Sequence, residues 1–140
     1  MVNISSSFMR ILAFAATTNT LVAGSPLAPR AVSCLDNLGA EYLANVAEAV
    51  ECIKYLASLE SRSCVGSVNG ESFCRRGNTQ VTGLLQREGG PNTVTCQQAA
   101  QAAGRIMDSC SRGDGKVKGQ VDLEFLGASG YFIDIRTKRQ

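Results

Sequence analysis

The 140-residue sequence contains no histidine and no tryptophan. Without histidine, Ser-His-Asp and Cys-His catalysis and histidine-based metal hydrolysis are excluded in their usual forms. Without tryptophan, the aromatic platforms that sugar-binding clefts usually offer are reduced to Tyr42, Tyr55 and Tyr131. These absences favour a protein that binds a partner over a protein that catalyses a reaction, and we predict that it is not an enzyme.

The chain also lacks a large excess of charge of either sign, with 14 basic and 12 acidic residues. If residues 1–30 are removed, Arg10 and Arg30 are lost and twelve residues of each sign remain. Nucleic-acid binders usually carry a clear basic excess, because they neutralise phosphates. The composition therefore predicts no nucleic-acid partner.

The first residues have the pattern of a secretory signal peptide. Arg10 precedes an apolar run that ends in small residues, and cleavage is expected near Ala23 or Gly24. The run is too short and too rich in threonine to span a bilayer. The sequence thus predicts a signal peptide over residues 1–24, a short pro-segment over 25–30, and one domain over 31–140, secreted and without a transmembrane segment.

The six cysteines all follow this leader, at Cys34, Cys52, Cys64, Cys74, Cys96 and Cys110. An even number after a signal peptide predicts three disulfides in an oxidising compartment. Metal sites usually use closely spaced cysteine pairs with histidine, and here the nearest cysteines are ten residues apart. No glycine-rich phosphate loop opens a helix either, so we expect no metal and no cofactor.

Two segments have helical spacing of small and apolar residues. Residues 96–110 form the clearer one, with Thr95 and Gln98 in the positions of a capping box. Residues 36–61 form the longer one, with Asp36 or Asn37 as a possible cap. The predicted helix over 96–110 has a face of mostly alanine, so this helix can approach a neighbouring element closely.

Strand patterns occupy the rest of the chain. Two short strands are predicted over 71–76 and 79–88, separated by Gly77-Asn78, and alternation is strong over 116–126 and again over 131–136. A further short strand is expected at 32–34. The order predicts an α+β fold, with two helices packed on one face of an antiparallel sheet of four to five strands and stabilised by disulfides.

The segments FCRRGNTQVTGLLQ, IMDSC and VKGQVDLEF together resemble the smut-fungus killer-toxin-like secreted proteins and related necrosis-inducing fungal effectors. The similarity covers roughly residues 34–125. It implies an α/β sandwich and a secreted monomer that acts at the surface of other cells, for instance on an ion channel or another cell-surface protein. By the same resemblance, the disulfides would be Cys34–Cys110, Cys52–Cys96 and Cys64–Cys74.

Toxins of this type are understood to use a basic residue before the strand cysteine. In this chain the positions before Cys74 are not basic, and Arg75 and Arg76 follow the cysteine instead. We therefore take these two arginines as a displaced candidate contact with the partner. Solvated surface charge is the simpler interpretation of the same pair.

Two other functions remain open. One is a non-toxic module that binds a wall polymer or a host protein. The other, less favoured, is a glycoside hydrolase that uses a carboxylate pair, for which Asp122, Glu124 and Asp134 are the best acids. A solvated strand face is the simpler interpretation of these carboxylates.

Overall fold

The computed structural model describes residues 32–35 and 39–137, which belong to one compact unit, Ala31–Gln140. The predicted signal peptide over 1–24, the pro-segment over 25–30 and the candidate caps Asp36 and Asn37 lie outside the described residues. The helix and strand bounds below refer to this described part of the chain.

The main sheet has five antiparallel strands in the order β1-β8-β9-β5-β4, which confirms the predicted α+β class. The longest strand, β9, lies at the centre and pairs with β8 on one side and β5 on the other, while β4 and β1 form the two edges. The bounds of the five strands are Val32–Cys34 (β1), Glu71–Arg76 (β4), Thr79–Leu85 (β5), Gly119–Leu123 (β8) and Ala128–Thr137 (β9).

Two small ribbons accompany this sheet. Strands β2 and β7 pair beside the start of the first helix, and β3 and β6 pair beside the start of the second. Their bounds are Ala44–Asn45 (β2), Ser63–Val65 (β3), Thr93–Thr95 (β6) and Lys116–Val117 (β7).

The described residues contain two α-helices, α1 at Val46–Ser58 and α2 at Cys96–Cys110. In α2 the predicted capping box is confirmed, because Thr95 accepts a hydrogen bond from the Gln98 amide and the Gln98 side chain accepts one from the Thr95 amide. The buried face of α2 carries four alanines and Ile106, and the absence of bulk lets it lie close to α1 and to the sheet. The core lies between these helices and the inner face of the sheet.

Glycines make room for two aromatic rings in this core. A Cβ atom at Gly83 would come within 2.5 Å of the Phe73 ring and 3.0 Å of the Tyr131 hydroxyl, and one at Gly66 would come within 2.9 Å of the Tyr131 ring. Tyr131 is fully buried and its hydroxyl donates to the Cys64 carbonyl at 2.8 Å. The two glycines therefore allow the largest buried side chain to fit beside β5.

The predicted start of α1 is wrong by almost three turns. The helix begins at Val46, with Asn45 accepting from the Glu48 amide as its cap. The residues before it are used differently, since Ala40–Tyr42 form a 3-10 turn and Ala44 pairs with Val117 in the β2–β7 ribbon. Helical spacing alone did not show that tertiary pairing holds Ala44–Asn45 extended.

The C-terminal hairpin also differs in detail from its predicted form. Strand β8 ends at Leu123, and Glu124–Leu126 form a 3-10 turn closed by Gly127 in the left-handed region at φ 80°. Phe125, which the alternation placed on the buried side, is 38% exposed as a result. Strand β5 ends at Leu85, before the predicted end at residue 88.

All six cysteines form disulfides. The Cys34–Cys110 bridge is the one that the resemblance implied, and it joins the edge strand β1 to the end of α2 with Cα atoms 5.3 Å apart. The other two implied pairings, Cys52–Cys96 and Cys64–Cys74, are wrong: Cys52 joins Cys74 and Cys64 joins Cys96.

The packing explains the exchanged partners. Cys52 lies on the buried face of α1, which packs against β4, so it meets Cys74 on the inner side of that strand. The β3–β6 ribbon places Cys64 opposite Val94, and the Cys96 amide donates to the Arg62 carbonyl at 2.7 Å. The ribbon thus brings Cys64, and not Cys52, to the start of α2.

Candidate functional site on the outer face of the sheet

The sheet has an inner face toward the helices and an outer face on the opposite side. Val81, Ile133 and Ile135 point inward and are completely buried in the core. Because successive side chains of a strand point to opposite faces, Thr82 and Asp134 point outward. The candidate site lies on this outer face.

A polar row crosses the outer face at right angles to the strands. Asp134 on the central strand is paired in register with Gln120 on β8 and with Thr82 on β5. The pairing continues to both edges of the sheet, with one hydroxyl at each end. We call this line of residues the polar row, and in spatial order it consists of Ser33, Gln120, Asp134, Thr82 and Ser72.

The centre of the polar row contains two buried polar atoms without a hydrogen-bond partner among the described residues. They are Thr82 Oγ1 and Asp134 Oδ1, in side chains belonging to residues that are each 3% exposed. The other carboxylate oxygen of Asp134 is used, since it accepts from Arg136 Nε at 2.8 Å and from Arg136 Nη2. Buried polar atoms are nearly always hydrogen-bonded in proteins, so these two mark the most unusual point of the face.

Basic residues flank the polar row on one side. Arg136 on β9 is paired with Gln80 on β5, and Gln80 with Arg75 on β4. Gln80 lies between the two arginines. Its side-chain oxygen accepts a hydrogen bond from Arg75 Nε at 3.3 Å, and its side-chain nitrogen donates one to the Thr137 carbonyl at 3.2 Å. The amide of Gln80 therefore holds Arg75 in place on the outer face.

Lys118 is a further cation close to Asp134. Its pKa is lowered, mainly because burial disfavours the charged form; the Asp134 carboxylate acts in the opposite direction and Arg136 adds to the lowering. The charges around Asp134 are thus predominantly positive.

The two candidate contact arginines do not form one patch. Arg75 lies on the outer face and is exposed, with Nε also donating to Ser72 Oγ at 3.3 Å. Arg76 points the other way, toward α1, where its guanidinium lies 5.2 Å from the centre of the Tyr55 ring. The alternation of a strand separates neighbours in sequence, so only Arg75 belongs to the outer face.

The three candidate carboxylates are also separated. Asp122 Oδ1 accepts from the Glu124 amide at 3.0 Å and from the Gly130 amide at 3.2 Å, so it holds the β8–β9 connection together. Glu124 lies in the 3-10 turn instead of on the strand face, and Asp134 is paired with Arg136. Among the described residues, no group of three or more cysteine, aspartate or glutamate side chains is arranged to hold a metal ion.

The sequence reveals only part of this site. Alternation places Asp134 opposite Ile133 and Ile135, but it gives no sign that Thr82, more than fifty positions earlier, lies beside it. Because strand register depends on tertiary pairing, the row could not have been found from local pattern.

The fold and its outer face define a disulfide-stabilised α+β domain with a polar, partly cationic sheet surface and two buried polar atoms without partners. The family model described as a domain of unknown function (DUF8794) matches residues 29–137, so the chain belongs to that family. No curated protein and no solved structure matches the chain. Within the part that the structure describes, neither helix has the length and apolar character that a membrane span requires.

Proposed function

We propose that this protein is secreted and acts on other cells without catalysing a reaction, in the manner of killer-toxin-like proteins and fungal effectors. The observation that carries the proposal is the complete pairing of six cysteines in three disulfides. Disulfides persist in extracellular and other oxidising compartments and are rare in the cytosol. They also give a small domain the durability that a protein acting outside its producer needs.

The state of the carboxylates supports a non-enzymatic role. A glycosidase needs two carboxyl groups that face each other across a cleft. Here Asp122 is occupied by two backbone amides and Asp134 by a guanidinium. Asp122 cannot contact a substrate without giving up the amide contacts that hold the β8–β9 connection, and Asp134 is paired with Arg136 and does not face a second carboxylate.

The proposed partner is a protein at the target cell surface, such as an ion channel. Arg75 is the better of the two candidate contacts, because it is exposed on the outer face, whereas Arg76 lies against Tyr55. A guanidinium at such a position can form bidentate bonds with a carboxylate on a partner.

The test is to apply the purified secreted protein to fungal and plant cells and to record growth and calcium influx. We expect inhibition by the wild-type protein, a weaker effect of Arg75→Ala, and a smaller change in Arg76→Ala. Arg87→Ala is the matched control, since Arg87 is an exposed arginine in the loop after β5. Absence of any effect on cells would refute the proposal, and equal potency of Arg75→Ala and Arg87→Ala would refute the contact.

A second candidate function is a non-toxic module that binds a wall polymer. The observation that favours it is the polar row, whose accessible side chains at Ser33, Ser72 and Gln120 can each donate and accept hydrogen bonds with a ligand rich in hydroxyl groups. Retention on a polymer together with no effect on cells would favour this function over the first.

A further inference from the structure

We propose that the open edge of β4 is a docking site for an extended acidic segment of a partner protein, which adds to the main sheet as a further strand. This inference deepens the first proposed function, because it rests on a protein partner and on Arg75 as its contact. It specifies how that partner binds and which chemistry it presents.

Strand β4 is an edge with room for a further strand. It has six residues, Glu71–Arg76, and in the described part of the chain it pairs only with β5. In an antiparallel pair the main-chain groups of alternate residues point away from the partner strand, so the open side of β4 presents N–H and C=O groups that β5 does not use. A peptide in extended conformation pairs with such groups when it adds to a sheet.

The opposite edge of the sheet is less suited to this role. Strand β1 has three residues, and the Cys34–Cys110 disulfide ties its end to α2. None of these three residues is charged, whereas β4 ends in two arginines. Only β4 therefore combines length with a charge that can select a partner.

The β-bulge in β4 does not close the edge. It lies between Ser72 and Cys74, where the pairing with β5 shifts by one residue. The extra residue is Phe73, which packs against the core. Beyond the bulge, the stretch from Cys74 to the end of the strand keeps a regular register with β5. The arginine end of the strand can thus accept a partner in regular pairing.

Arg75 and Arg76 lie on opposite faces of the sheet but border the same open edge. Arg75 is exposed on the outer face, and Arg76 is half-buried on the inner side beside Tyr55. A strand placed next to β4 would also send successive side chains to opposite faces. Two adjacent acidic residues of that strand can therefore each meet one arginine.

The charge of the two arginines is not neutralised within the described residues, where neither forms an ion pair. Arg75 Nε donates to the uncharged side chains of Ser72 and Gln80, and Arg76 Nη1 donates to the Arg75 carbonyl at 2.9 Å. The other guanidinium N–H groups can bind a carboxylate of the partner. Glu71 at the start of the strand repels acids, so the acidic pair is expected at the arginine end.

Tyr55 offers an apolar contact at the same end of the edge. Its ring is 40% exposed, and the Arg76 guanidinium lies 5.2 Å from the ring centre. Tyrosine and arginine are among the residues that contribute most to binding in protein interfaces. Side chains on the inner side of an added strand would pack across this pair.

Other occupants fit the edge less well. A second copy of this chain would bring its own arginines into the contact, and charged side chains on an edge strand commonly prevent such pairing. An anionic polysaccharide lying on one face of the sheet reaches only one arginine and has no peptide backbone to pair with β4. An acidic strand satisfies both the main chain and the two guanidinium groups.

The experiment measures the fluorescence anisotropy of labelled peptides with the purified secreted protein. The acidic probe is Thr-Val-Thr-Glu-Glu-Thr-Val-Thr, and the basic probe has two lysines in place of the two glutamates. We expect the acidic probe to bind and the basic probe not to bind. Arg75→Ala should weaken binding about tenfold, as for the loss of one charge-assisted hydrogen bond. Arg76→Ala should weaken it about threefold, because its guanidinium is already partly engaged.

Modified probes test the geometry of pairing. Two versions of the acidic probe carry N-methyl groups on the odd or on the even amides, and both keep the charges. Only one set of amides faces β4 in an added strand, so one version should lose binding and the other should keep it. The probe Thr-Val-Glu-Thr-Glu-Thr-Val-Thr has the same composition with both acids on one face, and it should bind more weakly because it reaches one arginine.

Matched variants separate binding from folding. Arg87→Ala removes an exposed arginine away from β4 and should bind the acidic probe as the wild type does. Arg75→Glu should lose the acidic probe and bind the basic one. Such a reversal of preference cannot result from unfolding.

Four results would overturn the inference: no binding of the acidic probe, equal binding by wild type and Arg75→Ala, equal binding of the two N-methylated probes, or binding of labelled polygalacturonate that is as tight and as sensitive to Arg75→Ala. The last result would assign the arginines to an anionic polymer. Cell inhibition without peptide binding would refute this docking site and leave the first proposed function standing. Peptide binding without inhibition would refute that function and leave the docking site standing.

Discussion

The Glu48 carboxylate accepts a hydrogen bond from the Thr79 hydroxyl, with 2.9 Å between Oε1 and Oγ1. The same oxygen accepts from the Asn78 amide at 3.2 Å, and Thr79 Oγ1 in turn accepts from the Asn45 amide at 2.9 Å. The first turn of α1 is thereby bound to the β4–β5 hairpin. This contact joins the helix layer to the edge of the sheet that carries Arg75.

Replacing Glu48 should therefore destabilise the domain. Glu48→Ala removes two hydrogen bonds to the hairpin, and we expect a loss of about 1–3 kcal/mol in the free energy of unfolding, measured by urea denaturation. Glu51→Ala is the control, because Glu51 is an exposed glutamate on the same helix, and it should change the free energy by less than about 0.5 kcal/mol. Similar losses in the two variants would show that the contact does not contribute to stability.

Gly77 in the same hairpin should not tolerate a side chain. Its φ is 56°, and an added Cβ atom would overlap the Glu48 carboxylate. Gly89 also has a positive φ, 83°, but a Cβ atom added there would have no other atom within 4 Å. We expect Gly77→Ala to lower the melting temperature more than Gly89→Ala, since both carry the cost of a positive φ and only the first also displaces Glu48.

A double variant isolates the cause of this difference. In a Glu48→Ala background the clash is absent, so Gly77→Ala should then cost about as much as Gly89→Ala. If the additional loss persists in that background, the overlap with Glu48 is not its source.

Tyr131 should make stability depend on pH in the alkaline range. Burial raises the pKa of its hydroxyl above the usual value. The unfolded chain loses the phenolic proton near pH 10, whereas the folded protein retains it. The buried, protonated Tyr131 hydroxyl therefore contributes fully to the free energy of unfolding below about pH 10, and this contribution is lost as the pH rises further.

The comparison is between wild type and Tyr131→Phe, with unfolding followed in urea at pH 8 and at pH 10.5. Tyr131→Phe should be less stable at pH 8 by about 1 kcal/mol, because it leaves the Cys64 carbonyl without its donor. It should then lose less stability between the two pH values than wild type does. Tyr42→Phe, at an exposed position, should behave as wild type; equal alkaline losses in all three proteins would contradict the assignment.

The disulfides should contribute unequally to stability. Cys34–Cys110 closes a loop of 76 residues and Cys52–Cys74 one of 22. In the chain-entropy model, the loss of unfolded-state entropy on closing these loops stabilises the fold by about 4.5 and about 3.4 kcal/mol respectively. We expect Cys34→Ala with Cys110→Ala to cost more in urea denaturation than Cys52→Ala with Cys74→Ala. The reverse order would mean that packing around the buried Cys52–Cys74 bridge outweighs loop entropy.

Local pattern predicted much of the fold. The capping box at Thr95, the break at Gly77-Asn78 and the alternation around Val121 and Ile133 each reflect contacts within a few residues, and each appears in the structure. The start of α1 was missed for the complementary reason, since pairing between Ala44 and Val117 overrides the helical spacing before Asn45.

The sequence by itself determined the fold class, the positions of most elements and, in β8 and β9, the residues that face the core, because helix and strand periodicities are properties of neighbouring residues. Only the tertiary structure decided which cysteines meet and that Thr82 lies beside Asp134. Both depend on how distant segments pack and in which register they pair, and a shift of one residue in β5 would have turned Thr82 toward the core.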